Sequence, residues 1–490
     1  MLQRIFIANR GEIALRIART VRRLGLQALG GFSSVDGGLP HLRLCARAMP
    51  LLGDPARVYL DIDQLIDTAR SLGADAVHPG YGFLAENEDF ASAVESAGMA
   101  FIGPTPDQIV ALGDKVQARK AAERAGVPIV PGHSETIADV KTAQDIAARI
   151  GYPVLIKAAG GGGGRGMRIV DAAENLPDAL ARAQSEAKAS FNDDRVFIEK
   201  YIARARHVEI QVLGDGRGNA VSLGERECSV QRRHQKLIEE SPAPAVPPEV
   251  ATRMGVLAAA LAASVKYRGA GTMEFIVPFG GTDFYFIEMN TRLQVEHPVT
   301  ELMTGLDLVE EQLAIASGAG FSKAAASAKI SGHAIEARVI AENPYAGFQP
   351  SIGALNVVQF PAGPGIRVDS WAEPGLAVSP HYDSLLAKIL AWGPTREVAI
   401  ARLRGALNET LIHPVQTTAG FLAEFISGAD FSSGHYDTGT IERWRAPDGE
   451  NLPAELAALA EAEKLSRQGS TSGALPRQRA RPMGRWQQSN

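Results

Sequence analysis

The chain is short of cysteine, of long apolar runs and of net charge, and each shortage removes a class of protein. Only Cys45 and Cys228 occur among 490 residues, so no disulfide framework holds the fold, and a reducing cytoplasm is the expected location. The longest apolar helical stretch, Met254 to Val265, is bounded by Arg253 and Lys266. It falls far below the roughly 20 residues that a bilayer requires, so no membrane association is expected. Met1-Leu-Gln-Arg-Ile runs straight into an expected strand, so no signal or transit peptide is expected. A net charge of −5 gives no general nucleic-acid footprint, so basic groups that act must be concentrated locally. The remaining composition, 45% hydrophobic and 21% charged, is that of a large globular protein, and its length suggests about three domains of roughly 100 to 200 residues.

What is present is most informative from Phe286 to His297. Glu288, Asn290, Arg292, Gln294 and Glu296 occupy alternate positions, with Met289, Thr291, Leu293 and Val295 between them. In an extended segment alternate side chains share a face, so two carboxylates, two amides and a guanidinium would line one wall, suited to a metal and an oxyanion. A solvated face of an ordinary strand shows the same alternation. The residues upstream separate the two readings. Thr272 to Pro278 and Asp283 to Asn290 read as two strands joined through Phe279-Gly-Gly-Thr282, a hairpin with glycine in its turn. Glu274 and Glu288 are equidistant from Gly281, so a symmetric register sets them face to face, which destabilises unless a cation or proton lies between. With the Asn290 oxygen they form an oxygen donor set suited to Mg²⁺ or Mn²⁺, the metal floor of a phosphate-transfer site.

A second motif supplies the phosphate side. Gly151-Tyr-Pro-Val-Leu-Ile-Lys157 reads as a buried strand delivering one cation, and Gly160 to Gly164 follow it. Glycine backbone N–H groups approach phosphate oxygens closely, so Gly162, Gly163 and Gly164 form a candidate flap over a nucleotide. A flexible linker is the alternative, and the strand lysine before the run and Met167-Arg-Ile-Val after it favour a nucleotide-covering hairpin. No Gly-Lys-Ser/Thr follows, which excludes a Walker A loop.

The first 110 residues alternate strand and helix: Arg4 to Ala8 strand, Glu12 to Leu24 helix, Ala74 to His78 strand, Phe90 to Ala97 helix and Ala100 to Ile102 strand. That order predicts a parallel sheet with helices on its faces, an α/β class. Asn9-Arg10-Gly11 lies where doubly wound sheets place ligand loops, or is simply a strand-to-helix turn. A helix is expected from Lys115 to Ala125, then a hinge at Gly126 to Gly132 leading into a lid. From Gly332 a mixed region begins with His333-Ala-Ile-Glu-Ala-Arg338.

Taken together, these segments resemble the biotin carboxylase component of biotin-dependent carboxylases, a branch of the ATP-grasp enzymes. Further segments of the same kind are Ile7 to Ala14, His78 to Asn87, Glu225 to Lys236 and Tyr382 to Lys388, and the likeness runs from about Gln3 to about Trp444. The resemblance implies an α/β (α+β overall) ATP-grasp fold. Its expected parts are an N-terminal Rossmann-like doubly wound domain at 1–112, an ATP-grasp domain at 113–331 with a mobile lid at about 131–202, and a C-terminal mixed α/β domain at 332–446. A tail at 447–490, helical and then disordered, would follow.

The resemblance also implies roles. Lys115 and Lys157 would hold the phosphates of ATP, while Glu199, Lys200, Tyr201 and Ile202 would hold adenine. His207, Gln231 and His234 would contact ribose and phosphate, and Lys236 would approach the γ-phosphate and bicarbonate. Glu274, Glu288 and Asn290 would bind Mg²⁺ or Mn²⁺, in a two-ion arrangement. Arg292, Gln294 and the N–H of Val295 would hold bicarbonate, Glu296 would be the base, and Arg338 would stabilise the enolate of biotin, with Tyr81 and Glu86 near the biotin pocket. Cys228 would be a catalytic thiol or a small packed group, the latter being the usual behaviour of an unpaired cysteine.

No Ala-Met-Lys-Met sequence is present, so biotin would arrive on a separate biotin carboxyl carrier protein, with a carboxyltransferase subunit as a further partner and a homodimer expected from the family. Phe421 to Arg443 resembles the α-subunits of acyl-CoA carboxylases. Cys45-Ala-Arg-Ala-Met-Pro50 and Gly31 to Gly37 depart from the family pattern, away from the expected chemistry. The arginine-rich end through Arg477, Arg479, Arg481 and Arg485 reads as a docking tail or a solvated terminus. Two rivals stand beside this reading: an ATP-grasp enzyme activating bicarbonate for ammonia or urea, and a non-catalytic assembly subunit.

Overall fold

An alternation of strand and helix builds the start of the chain. β1 (Arg4–Ile7), β2 (Gln27–Phe32), β3 (Arg47–Pro50), β4 (Ala76–His78) and β5 (Ala100–Phe101) form a sheet in the order β3-β2-β1-β4-β5. All its pairings are parallel, the doubly wound arrangement expected. The computed structural model describes residues 2–133, 135–137, 139–159 and 167–444. In the helix Gly11–Arg23, Ile13, Ala14, Ile17, Ala18 and Val21 recur at helical spacing and are buried against this sheet. The preceding turn is a tie rather than an open loop. Asn9 Nδ2 donates to the carbonyls of Pro79 and Tyr81 at 2.7 and 2.8 Å, and Arg10 is clasped by Asp36 and lies 4.0 Å over the Tyr382 ring.

A small antiparallel sheet follows, β6 (Val154–Ala158), β7 (Arg168–Val170) and β8 (Val196–Lys200), ordered β7-β6-β8. The helices Val140–Ile150 and Leu176–Phe191 share its apolar core through Ile146, Leu180 and Ile198. β8 runs on to Lys200, which pairs with Val154, so Glu199 lies inside the strand. The expected flap residues Gly162, Gly163 and Gly164, and the expected tail at 447–490, lie outside the described residues.

The site is carried by a larger sheet. β9 (Ala205–Asp215), β10 (Ala220–Arg232), β11 (Gln235–Ser241), β12 (Arg268–Pro278), β13 (Tyr285–Asn290) and β14 (His333–Ile340) belong to it. Later strands are β15 (Glu342–Asn343), β16 (Gln349–Pro350), β17 (Gly353–Ala354), β18 (Val357–Gln359), β19 (Ile366–Ser370), β20 (Ala377–Val378), β21 (Leu385–Gly393) and β22 (Leu411–His413). Among the described residues the large sheet has eight strands in the order β13-β12-β9-β10-β11-β14-β21-β19. It therefore runs without a break through the expected boundary at 331/332, since β11 pairs with β14. Alternation fixes its two faces. Val208, Ile210, Val212, Met273, Phe275 and Val277 pack into one core with Met254 and Leu261 of the helix Pro248–Ser264, which turns His207, Glu209, Gln211, Thr272 and Glu274 the other way.

The hairpin β12–β13 sets Glu274 opposite Glu288, as the symmetric register requires. That pairing depends on a bulge. From Phe275↔Phe286 to Glu274↔Glu288 the register shifts, leaving Ile287 as the extra residue. Without it Glu274 would face Ile287 and the carboxylates would lie on opposite faces. The five-residue wall is corrected in one respect. β13 ends at Asn290, and 291–296 is a loop that leads into the helix His297–Thr304. Arg292, Gln294 and Glu296 therefore share no strand face with Glu288. They reach the site because the loop turns back over the sheet.

Candidate active site

Adjacent strands place acidic groups side by side. Arg226 on β10 pairs with Glu209 on β9, Glu209 with Glu274 on β12, and Glu274 with Glu288 on β13. Three carboxylates in neighbouring ranks repel unless cations intervene. Lys236, from β11, supplies the central one: its Nζ lies 2.6 Å from Glu209, 3.0 Å from Glu274 and 2.6 Å from Glu296. Burial works against its charge, but the three carboxylates prevail and hold the ammonium well above its ordinary pKa. His207 Nε2 lies 3.0 Å from the other oxygen of Glu274. Burial raises the Glu274 carboxyl, but Lys236 and His207 outweigh it, leaving Glu274 ionised well below the usual range.

Glu296 is fully buried at the start of the helix His297–Thr304. Burial opposes its ionisation, but Lys236, Arg338 and Arg226 drive its pKa well below normal. Arg338 Nη2 donates to Glu296 at 2.9 Å, while its Nε donates to Glu239 at 2.6 Å. In the loop, Arg292 donates to Gln294 at 2.9 Å, to Asn290 at 3.3 Å and, through Nε, to Glu86 at 2.8 Å. Glu86 also accepts from the N–H of Thr291 at 3.0 Å. The carbonyl of Val295 accepts from Lys388 at 2.9 Å, and Lys388 lies 3.2 Å from Glu12. Tyr81 donates its hydroxyl proton to Glu12, so Tyr81 is linked through Glu12 and Lys388 to the Val295 peptide.

The two lysines expected at the phosphates, Lys115 and Lys157, have their own supports. Lys157 Nζ lies 2.5 Å from Glu199, whose second oxygen accepts from Arg119 at 2.9 Å. The Glu199 carboxylate thus positions Lys157. Lys115 lies 3.3 Å from Glu288. Lys200 turns its ammonium onto the carbonyls of Gly151 and Tyr152 at 3.0 and 2.9 Å, and the N–H of Tyr201 bonds Pro153 at 3.1 Å, with Ile202 half-buried beyond. Gln231 Nε2 is 3.4 Å from His207 Nδ1. His234 occupies the two-residue turn between β10 and β11, where Arg233 and His234 have φ of 49° and 64°. Such a turn favours asparagine and glycine, so two bulky side chains there are held in a costly conformation. Burial lowers the His234 pKa, assisted by His207, Lys157 and Lys115, so these four groups share one electrostatic neighbourhood.

Among the expected residues, Lys236, Glu274, Glu296, Arg338 and His207 make one connected group, Lys115 pairs with Glu288 and Lys157 with Glu199, and Arg292 ties Asn290 and Gln294 to Glu86. Glu209, Arg226, Glu239, Arg119, Glu12 and Lys388 complete them and were not among the sequence candidates, although Lys388 closes a motif that the sequence displays. The alternation His207-Val-Glu209-Ile-Gln211 was the available signal for Glu209. Cys228 is fully buried, and burial pushes its thiol well above the ordinary value, the setting of a packed group rather than of an ionised nucleophile. Glu274, Glu288 and Asn290 fit a hard divalent cation. Two carboxylates face each other across the hairpin, and with the Asn290 Oδ1 the donors on offer are all oxygen.

Known proteins share this architecture. Residues 1–109 match the family described as biotin carboxylase, N-terminal domain, and 336–443 the biotin carboxylase C-terminal domain. Residues 114–324 match the ATP-binding domain of the carbamoyl-phosphate synthase L chain. A biotin carboxylase of Haemophilus influenzae is 49% identical over 445 residues, covering 90% of this chain and 99% of that protein. The biotin carboxylase domain dimer of Hydrogenobacter thermophilus 2-oxoglutarate carboxylase, solved with MgADP, ADP and bicarbonate, superposes with a TM-score of 0.87. It is 43% identical and covers 90% of this chain and 98% of that one. A biotin carboxylase from Campylobacter jejuni, solved as a β-γ-ATP complex, gives 0.88 at 41% identity, with 91% and 99% coverage. With matches at both ends and an ATP-binding match between them, the chain belongs to the biotin carboxylase family.

Proposed function

We propose that this chain carboxylates biotin with bicarbonate at the expense of ATP, the first half-reaction of a biotin-dependent carboxylase. The observation that carries the reading is the position of Lys236. Its ammonium joins Glu274 of the metal floor to Glu296, which shares Arg338, so phosphoryl-transfer, base and anion-stabilising groups meet within hydrogen-bond distance.

Lys115 and Lys157 hold the phosphates of ATP, and the backbone around Glu199 to Ile202 holds adenine, with His207, Gln231 and His234 at ribose and phosphate. Arg292, Gln294 and the Val295 N–H bind bicarbonate. Glu274, Glu288 and Asn290 would hold a divalent ion, which would supply positive charge to neutralise the phosphoryl group. Glu296 takes the bicarbonate proton as bicarbonate oxygen attacks the γ-phosphorus and ADP leaves, giving carboxyphosphate. While Lys236 and Arg338 both hold Glu296, it is a weak base; attraction of Lys236 to the incoming γ-phosphate removes one of those partners and strengthens it. Carboxyphosphate separates into CO₂ and phosphate. The phosphate removes the N1 proton of biotin, N1 attacks CO₂, and Arg338 stabilises the enolate oxygen.

The region around Gly126 to Gly132 acts as a hinge for a lid at about 131–202, within domains at 1–112, 113–331 and 332–446. Biotin arrives on a separate biotin carboxyl carrier protein, a carboxyltransferase subunit consumes the product, and the enzyme works as a homodimer with Mg²⁺ or Mn²⁺. Among the described residues no helix is long and apolar enough to cross a membrane. ATP hydrolysis that requires bicarbonate and is stimulated by free biotin is the expected result. Stimulation by ammonia or urea instead would assign the chain to another bicarbonate-activating reaction, and no turnover at all would make it an assembly subunit.

A further inference from the structure

Beside the site, the large sheet buries a carboxyl group that has no hydrogen-bond partner among the described residues. Glu336 on β14 is fully buried, and neither of its carboxyl oxygens has a hydrogen-bond partner among the described residues. Its register partner on β11 is Glu239, also fully buried. Glu239 Oε1 accepts from Arg338, and its Oε2 is unpartnered. The unsatisfied oxygens thus belong to two side chains that stand directly opposite on neighbouring strands, where Cβ atoms are about 4.5–5.5 Å apart. An unpaired buried polar group calls for an explanation.

The surrounding charges do not supply one. Arg338 faces the pair from β14, Lys236 from β11, Lys388 from β21, and Glu296 from the start of the helix His297–Thr304. Arg338 is divided between Glu239 and Glu296, and Lys388 is held by Glu12 and the Val295 carbonyl. His297 of the same helix is kept neutral, first by burial and then by Lys388 and Arg16. The helix Arg396–Glu409 meets the other face, where Arg396 pairs with Glu240. Two ionised carboxylates cannot coexist in such surroundings without large cost.

We propose that Glu239 and Glu336 share one proton, and that this acid pair is a positioning element for Arg338. The proposal rests on the biotin-carboxylating reading. The shared proton bridges the unpartnered oxygens and leaves a single negative charge, on the Glu239 oxygen that orients the Arg338 Nε. Burial raises both groups, with Glu296 adding to the rise of Glu239, and Glu239 and Glu296 to that of Glu336, so the proton stays at neutral pH and leaves as the medium becomes alkaline. A second anion then draws the guanidinium away from the forming enolate, and kcat falls while the KM for ATP does not change.

Infrared difference spectra of the whole enzyme, wild type minus Glu336→Gln, test the shared proton without reference to turnover. A protonated-carboxyl band present at neutral pH and lost on alkaline titration is expected; absence of that band overturns the proposal. In biotin carboxylation, Glu336→Gln, which keeps a donor but cannot ionise, is expected to lack the wild-type alkaline fall in kcat. It is also expected to exceed Glu336→Leu by about ten-fold. Identical pH profiles for Glu336→Gln and wild type overturn the positioning role. A wild-type enzyme without biotin-stimulated turnover would instead defeat the functional reading, with the infrared result standing separately.

Discussion

Glu239 and Glu240 are consecutive residues of β11, equally buried, and they face opposite sides of one sheet. On the far side Glu240 is saturated. It accepts from His333 at 2.6 Å, from Arg396 at 2.7 and 2.9 Å, and from the Tyr436 hydroxyl. Burial would raise its pKa, but bonds from His333 and Arg396 bring it down to about 2. On the site side Glu239 has one cation, which it shares with Glu296, and burial raises it instead. The difference is one of donor supply. A carboxylate with donors for every lone pair fixes strands and helices together, whereas one left short becomes sensitive to the protonation and charge of its neighbours.

That contrast breaks most visibly if the site side is neutralised. Glu296→Gln and Arg338→Gln are each expected to lower biotin carboxylation by about 10²- to 10⁴-fold. Near-normal turnover of either would show that the reacting groups lie elsewhere. On the far side, Glu240→Ala leaves Arg396 and His333 without their buried counter-charge, and a stability loss of about 3–5 kcal/mol is expected. Calorimetry measures it, and a loss below about 1 kcal/mol would reduce the cluster to the weight of an exposed ion pair.

Acid titration sharpens the same point. The folded pKa of Glu240 lies below the ordinary 4.5, at about 2, so the unfolded chain binds the proton first. The stabilisation is complete above pH 4.5 and is lost as pH falls toward 2, a contribution of about 3 kcal/mol. Denaturant melts of wild type and Glu240→Gln should converge across that interval, and parallel curves would contradict the assignment. A smaller effect is expected at the phosphate side, where Glu199→Gln frees Lys157 and should raise the KM for ATP about ten-fold. The smallest is Cys228→Ala, for which kcat should change by less than about two-fold because the thiol only packs; inactivation would restore a chemical role.

The legibility of the site followed the reach of local signals. The β12–β13 hairpin was readable because its alternation and glycine turn are contained in one short segment, and the facing of Glu274 and Glu288 came with it. The same alternation does not continue beyond Asn290. The loop 291–296 is shaped by Glu86 and Lys388, which lie far away in the chain. Arg119 and Glu239 carry no local pattern at all. Arg119 acquires its role only when the Glu199 strand is laid beside its helix, and the two adjacent acids of β11 look alike until the sheet sends them to different sides. The parallel N-terminal sheet was legible from strand and helix order, whereas the seamless junction between β11 and β14 required the fold.

That junction restricts how the protein can be cut or recombined. A polypeptide stopped at residue 331 would bare the ladder groups that β11 gives to β14 as an open edge, a template for pairing between molecules. It would also strip the counter-ions from a row of interior acids. Transplanting the C-terminal part from a relative would therefore bring foreign partners to Glu239 and Glu240 together, and such a chimaera would have to match them as a set.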